Sequence, residues 1–102
     1  MKTGAELIMS ERYRHTQVEG WTPEHDDRYV HGELRLAAAG YGRNAVAAGT
    51  PAPATWPWDF QWWKPSDDPV RNLTKAGALI AAEIDRLQRL VTLDIGKGRA
   101  AV

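Results

Sequence analysis

The stretch Asp68–Val91, DPVRNLTKAGALIAAEIDRLQRLV, decides the fold. Asp68 offers a side-chain oxygen to the first orphan N–H groups of a helix, and Pro69 follows at the one position where a missing N–H costs nothing. From there Leu73, Ala76, Gly77, Ile80, Ile84, Leu87 and Val91 recur at three-and-four spacing, so the segment predicts a long helix with one apolar stripe. Ala76, Gly77, Ala78, Ala81 and Ala82 have side chains small enough to let another backbone approach closely. Glu83 with Arg86, or Asp85 with Arg89, can pair along the wet side. After Asp94 the sequence IGKGRAAV reads as a frayed tail.

Two further helices are expected upstream. Ala5–Glu19 contains neither proline nor glycine; Ile8, Glu11, Arg12, His15 and Glu19 mark one side, and Leu7, Arg14 and Val18 another. Gly20 suits a C-terminal cap, and Thr22-Pro23 prevents continuation. After a turn, a second helix is predicted from about His31 to Ala48, with Leu34, Ala37, Ala38, Tyr41 and Ala45 facing inward. Gly40 and Gly42 each cost that helix roughly 1 kcal/mol relative to alanine, which predicts a kink or early stop near Tyr41.

Between the second and third helices, AAGTPAPATWPWDFQWWKPSDDP holds Pro51, Pro53, Pro57, Pro65 and Pro69 and so cannot be a continuous helix or a central strand. It carries four of the five tryptophans, Trp56, Trp58, Trp62 and Trp63. A connection this long and this aromatic is expected to be ordered and pinned to the body. Each indole can bury on the order of 150–250 Å², which three alanine-rich helices need, so at least two of these rings are expected in the core or at an oligomer contact. Their N–H groups then need acceptors, and Asp59, Asp67 and Asp68 lie nearby. The same rings, flanked by Lys64, Arg71 and Lys75, also suit a planar base with attached phosphate. The fold class expected is mainly α: a compact three-helix domain, residues 1–95, with a long Pro/Trp-rich ordered loop between the second and third helices and a flexible tail at 96–102.

Composition narrows the function. Lysine plus arginine and aspartate plus glutamate number 13 each, so no net field attracts nucleic acid or an anionic membrane. The absence of cysteine removes disulfides and thiolate sites, and no run of 18 apolar residues occurs, so a cytoplasmic location is expected. GWTPEHDD sets His25 among Glu24, Asp26 and Asp27, residue types that can ligate a divalent cation or exchange protons. Adjacent side chains diverge, however, and paired aspartates also cap helices and turns, so no metal or other cofactor is expected here. Phosphate-cradling glycine loops, nucleophile elbows and histidine pairs at zinc spacing are not found. His15, His25 and His31 are scattered.

The succession ERYRHTQVEGWTPEHDD, then GEL with an alanine run and a tyrosine, then WPWDFQWWKP and RNLTKAGALIAAEIDRL resembles a family of small, uncharacterised bacteriophage and prophage proteins, over Glu11 to Leu90. More distantly, a helix ending at Gly20-Trp21, followed by Asp26-Asp27, a proline-and-aromatic segment and a closing helix, is similar to the ryanodine-receptor repeat domain. That module's prokaryotic versions occur in conflict systems and are linked to nucleotide-derived ligands. Together the resemblances imply a phage accessory protein that captures a nucleotide-like small molecule, such as a host immune signal, without catalysis. Trp21 and members of Trp56, Trp58, Trp62 and Trp63 are then expected to wall in the base. Lys64, Arg71 and Lys75 would meet phosphate, and His25, Asp26 and Asp27 would accept hydrogen bonds from ribose or exocyclic groups. A homo-oligomer formed through the third helix is expected. The alternatives are an inhibitor that binds a host defence or metabolic enzyme, and a metal-dependent nucleotide hydrolase using Glu24 to Asp27.

Overall fold

The computed structural model describes residues 1–96, with side-chain surroundings through Thr92. It is mainly helical, and the expected tail lies, apart from Gly96, outside the described residues. Helix α1 spans Gly4–Gln17 and opens on a capping box: Glu6 N–H donates to Thr3 Oγ1 (3.2 Å) while Thr3 N–H donates to the Glu6 carboxylate (2.8 Å). It ends two residues before the expected Glu19. Gly20, at φ +74°, turns the chain so that Trp21 N–H reaches back to the His15 carbonyl at 2.9 Å. A one-turn helix, α2 (Pro23–Asp26), follows where the sequence suggested only a turn. Thr22 caps it by accepting from His25 N–H (3.1 Å), and Pro23 takes the first helical position.

Helix α3 covers Glu33–Ala39 and widens into a π-helical turn over Gly40–Asn44, so the second helix is shorter than His31–Ala48. Its expected inward face is buried at Leu34, Ala37, Ala38 and Tyr41, with Ala45 partly so. The break near Tyr41 has a packing cause as well as a propensity one. A Cβ at Gly40 would lie 3.2 Å from the Trp63 ring and 3.5 Å from the Trp56 ring, so two indoles of the following loop rest directly on this backbone.

That loop is ordered by its own polar groups. Trp56 Nε1 donates to the Asp59 carbonyl (3.2 Å) and Trp63 Nε1 to the Thr50 carbonyl (2.8 Å), so the indole acceptors are backbone oxygens and not aspartate side chains. Asp67 instead accepts from Ala48 N–H (2.9 Å), and Asp68 caps the last helix by accepting from Val70 N–H (2.9 Å). A 3₁₀ turn, Phe60–Trp62, sits between the tryptophans. Asn72 fastens the loop's end: fully buried, it accepts from Ser66 N–H (2.8 Å) and donates to the carbonyls of Ser66 (2.8 Å) and Ala45 (3.1 Å).

Helix α4, Pro69–Gly96, is 28 residues long, about 42 Å at 1.5 Å per residue, and accounts for most of the 49 Å longest dimension. Helices α1 and α3 both pack on it. Its buried face is Asn72, Thr74, Ala76, Ala78, Leu79, Ala82, Glu83 and Arg86. The larger apolar residues of the stripe look outward: Leu73, Ile80, Ile84 and Val91 are each 51–59% exposed. Small side chains therefore face the neighbouring helices and large ones face away. Glu83 and Arg86 do pair (2.7 Å), but in the interior and not on the wet side, because Arg35 of α3 also reaches Glu83 (3.0 Å) and brings the group under cover. Asp85 and Arg89 do not pair with each other; Asp85 takes Arg12 of α1 (3.2 Å), and Arg89 takes Asp27 (2.7 Å). No helix among the described residues is long and apolar enough to cross a membrane.

Asn72→Ala removes all three of its bonds and orphans buried backbone groups. The expected loss is about 3 kcal/mol of unfolding free energy, measured by urea denaturation; a loss below about 1 kcal/mol would show that the loop is anchored elsewhere.

Candidate functional site

A cavity of about 790 Å³ opens between the C-terminal half of α1, α2, the tryptophan loop and the first turns of α4, with Leu34 and Leu79 as its apolar floor. Its wall is an arc of contacting side chains. His15 lies 4.3 Å from Trp21 between ring centroids, and Trp21 lies nearly parallel to His25 at 5.6 Å. The arc continues through Tyr29 (5.4 Å), Trp58 (5.1 Å), Trp56 (5.4 Å) and Tyr41 (5.7 Å). Lys75 Nζ stands 5.2 Å over the Tyr41 ring, and one helical turn earlier Arg71 donates to Glu11 (2.7 Å), which lies 3.5 Å from His15. Seven rings thus form one arc, and ionic groups continue it on one side.

The local sequence explains the arc. The positive φ of Gly20 folds Trp21 back over the end of α1, and the single turn of α2 then sets Trp21, His25 and Tyr29 at four-residue intervals on one side. Pro57 separates Trp56 from Trp58, and the two indoles meet edge to face. Trp58 Nε1 is buried and has no acceptor among the described residues. An orphaned donor of this kind costs about 1–3 kcal/mol.

The ionic side is dominated by Glu11. Its carboxylate is buried and accepts from both guanidinium forks: Arg14 at 3.0 and 2.8 Å, Arg71 at 2.7 and 3.1 Å. Burial alone would raise its pKa; the hydrogen bonds from Arg14 and Arg71 outweigh burial and hold it at about 2. Burial pushes the neighbouring His15 down to about 4, against the attraction of Glu11. Arg14 is shared with Glu19 (2.9 Å). Lys64 and Lys75 have no carboxylate partner among the described residues. Lys75 donates to the Lys64 carbonyl, and burial lowers its pKa. Lys64 stands 5.6 Å over Trp62, which is 56% exposed at the cavity mouth.

Of the residues singled out in the sequence, Trp21, His25, Trp56, Trp58, Trp62, Lys64, Arg71 and Lys75 line this one cavity. Three do not. Trp63 packs behind the wall against Tyr41 (4.8 Å) and Trp56 (4.9 Å). Asp26 is buried 2.9 Å from His25 Nδ1 and 3.9 Å from Arg12, and Asp27 pairs with Arg89. Asp26 therefore orients His25: a carboxylate only accepts, so Nδ1 donates to it, and Nε2 is turned toward the Tyr29 hydroxyl (3.4 Å). Glu24 is exposed, Asp26 pairs with His25 and Asp27 with Arg89, and no group of three potential metal ligands converges among the described residues. No family model, curated protein or solved structure matches the chain. Sequence reasoning passed over Glu11, Arg14, His15, Glu19, Tyr29, Tyr41 and Asp59. The i, i+4 pair Glu11/His15 was the available signal for the first of these, since both sit on the α1 side that faces α4.

Stability should fall with acid in two overlapping stages. The folded pKa of His15, about 4, lies below its ordinary 6.5, so the unfolded chain takes up this proton first and stability declines from pH 6.5 to about 4. The folded pKa of Glu11, about 2, lies below 4.5, so its contribution is present above pH 4.5 and is lost as the pH falls toward 2. The His15 stage is worth at most about 3 kcal/mol at 1.36 kcal/mol per pKa unit. His15→Gln should flatten Tm between pH 6.5 and 4.5 and leave the lower stage; an unchanged upper slope would assign it to other groups.

Proposed function

We propose that this protein binds a nucleotide-derived small molecule in the aromatic cavity and holds it without turning it over. The observation that supports this reading above all is the wall, in which an arc of seven rings meets a short ionic segment around a volume suited to a drug-sized ligand. Aromatic faces accept any flat base. Lys64 and Lys75, uncommitted to carboxylates among the described residues, supply donors for phosphate, while His25 Nε2 and Asp59 supply acceptors for hydroxyl or amino groups. The orphaned Trp58 N–H would gain an acceptor from a polar ligand. In a phage accessory protein, as the resemblance implies, such capture would withhold a host immune signal from its effector.

The test is a thermal-shift and tryptophan-fluorescence screen against nucleotides, cyclic dinucleotides and ADP-ribose derivatives, with and without divalent metal. A ligand at 100 times its Kd stabilises the fold by about 2.7 kcal/mol, a rise of several degrees for a domain this size. Bound ligand should be recovered intact and in stoichiometric amount after denaturation. Lys75→Ala should weaken binding roughly tenfold or more, the loss of one charge-assisted hydrogen bond. No shift with any compound would sink the reading and favour the host-enzyme inhibitor, whereas metal-dependent product accumulation would favour the hydrolase.

The exposed α4 stripe supports self-association. Leu73, Ile80, Ile84 and Val91 are exposed and Leu87 partly so, at steps of three, four and seven that one helix presents to another, while Ile8 of α1 is seated on Gly77 between Leu73 and Ile80. A second copy laid along this face would cover four large side chains now more than half exposed. The double variant Ile80→Lys/Ile84→Lys should run as a monomer in light scattering where the parent is a dimer; a monomeric parent would remove this part of the proposal.

A further inference from the structure

Resting on the ligand reading above, the charge balance of the cavity narrows the ligand further. Four cations line it, Arg14, Lys64, Arg71 and Lys75, against three carboxylates, Glu11, Glu19 and Asp59. Counting lysine, arginine, aspartate and glutamate, the lining carries one positive charge in excess. Two of the four cations are already satisfied. Glu11 occupies the space between the Arg14 and Arg71 forks, filling with a protein carboxylate the bidentate geometry that would otherwise receive a terminal phosphate. Glu19 takes a further donor of Arg14.

A terminal phosphate monoester carries about 1.5 to 2 negative charges at neutral pH, and each added phosphate of a di- or triphosphate adds more. A phosphodiester, whether cyclic or bridging two nucleosides, carries one. Enclosing excess negative charge in a partly dry, aromatic-walled cavity without counter-charge is unfavourable. We infer that the cavity selects nucleotides whose phosphate is a phosphodiester over those ending in mono-, di- or triphosphate, and that Glu11 sets this selectivity by occupying the two arginine forks. Arg14 and Arg71 are then wall elements, and Lys64 and Lys75 are the cations that meet the single phosphate charge.

The experiment compares ligands that differ only at phosphate. Affinities of 3′,5′-cyclic AMP, AMP, ADP and ATP, and of the matching guanine series, are measured by calorimetry at one fixed salt concentration. The cyclic monoanion is expected to bind at least tenfold more tightly than the triphosphate of the same base. Glu11→Gln should tighten triphosphate binding about tenfold while changing cyclic nucleotide affinity less than threefold. Because Glu11 is buried and its replacement can unfold the protein, Glu19→Gln provides the same charge change from the half-exposed rim, with about a threefold shift in the same direction expected. A loss of structure alone would weaken both ligand types together, so the ratio is the readout. Triphosphate binding more tightly than cyclic nucleotide in the parent, or a ratio unmoved in both variants, would overturn the inference and leave nucleotide binding standing. No binding by any member of either series, nor by the cyclic dinucleotides and ADP-ribose derivatives of the screen above, would overturn both.

Discussion

The small side chains on the inner face of α4 constrain everything around them. Ala76, Ala78 and Ala82 are buried at the contacts with α1, α3 and the π-helical turn, and Ala37 and Ala38 answer them from α3. Alanine contacts let helix backbones come close but remove little apolar area from water, on the order of one methyl group each. Helices packed this way leave the core short of bulk. The tryptophan loop supplies what is missing: Trp56 is buried, Trp63 lies over Gly40, and Tyr41 is held between them. Prolines keep this segment extended, so its indoles can lie flat on the helices without a strand or helix of its own.

Alanine faces are also poor at fixing register, because one small residue resembles the next. Two buried carboxylates compensate, and they are built alike. Glu11 of α1 pairs with Arg14 three residues on and with Arg71 across on α4. Glu83 of α4 pairs with Arg86 three residues on and with Arg35 across on α3. Each clamp has an arginine within its own helix and one from the neighbour, so sliding either helix by a turn would strand a buried charge at a cost of several kcal/mol. The long helix is thereby registered to both partners, and one of the two clamps forms a wall of the cavity.

Much of this was legible in the sequence, and the residues that escaped share a cause. The α4 cap at Asp68-Pro69, the inward face of α3 and the ordering of the loop follow from local rules that need only a few neighbouring residues. The cavity's tryptophans were legible because tryptophan is scarce and its clustering stands out, whereas Tyr29 and Tyr41 carried no such signal. The orientation of α4 was not. Periodicity finds a stripe of Leu73, Ile80, Ile84 and Val91 but cannot tell whether neighbours take that stripe or the alanine face beside it, since both are apolar. For the same reason Glu83/Arg86 looked like a surface pair: i, i+3 spacing is identical on wet and dry faces, and only Arg35, 48 residues away, decides between them. Glu11 and His15 were placed on one side of the first helix, but a weakly amphipathic pattern does not say which side packs, and only Arg71, 60 residues away, decides it.

The buried ion clamp therefore couples architecture to the charge of the cavity. Glu11 cannot leave the arginine forks without loosening α1 from α4, and while it stays, Arg71 and Arg14 present a neutralised surface to the cavity. Under the proposed function a ligand would then draw its counter-charge from Lys64 and Lys75, and both are placed by the tryptophan loop: Lys64 belongs to it, and Lys75 donates to the Lys64 carbonyl while standing over Tyr41. The segment that completes the core is thus also the segment that positions the available positive charge. A substitution that disturbs the fit of Trp63 on Gly40 would reach Lys64 through one peptide bond and Lys75 through one hydrogen bond. In so small a domain the packing of the loop and the electrostatics of the site are one structural problem, solved by the same ten residues, Trp56 to Pro65.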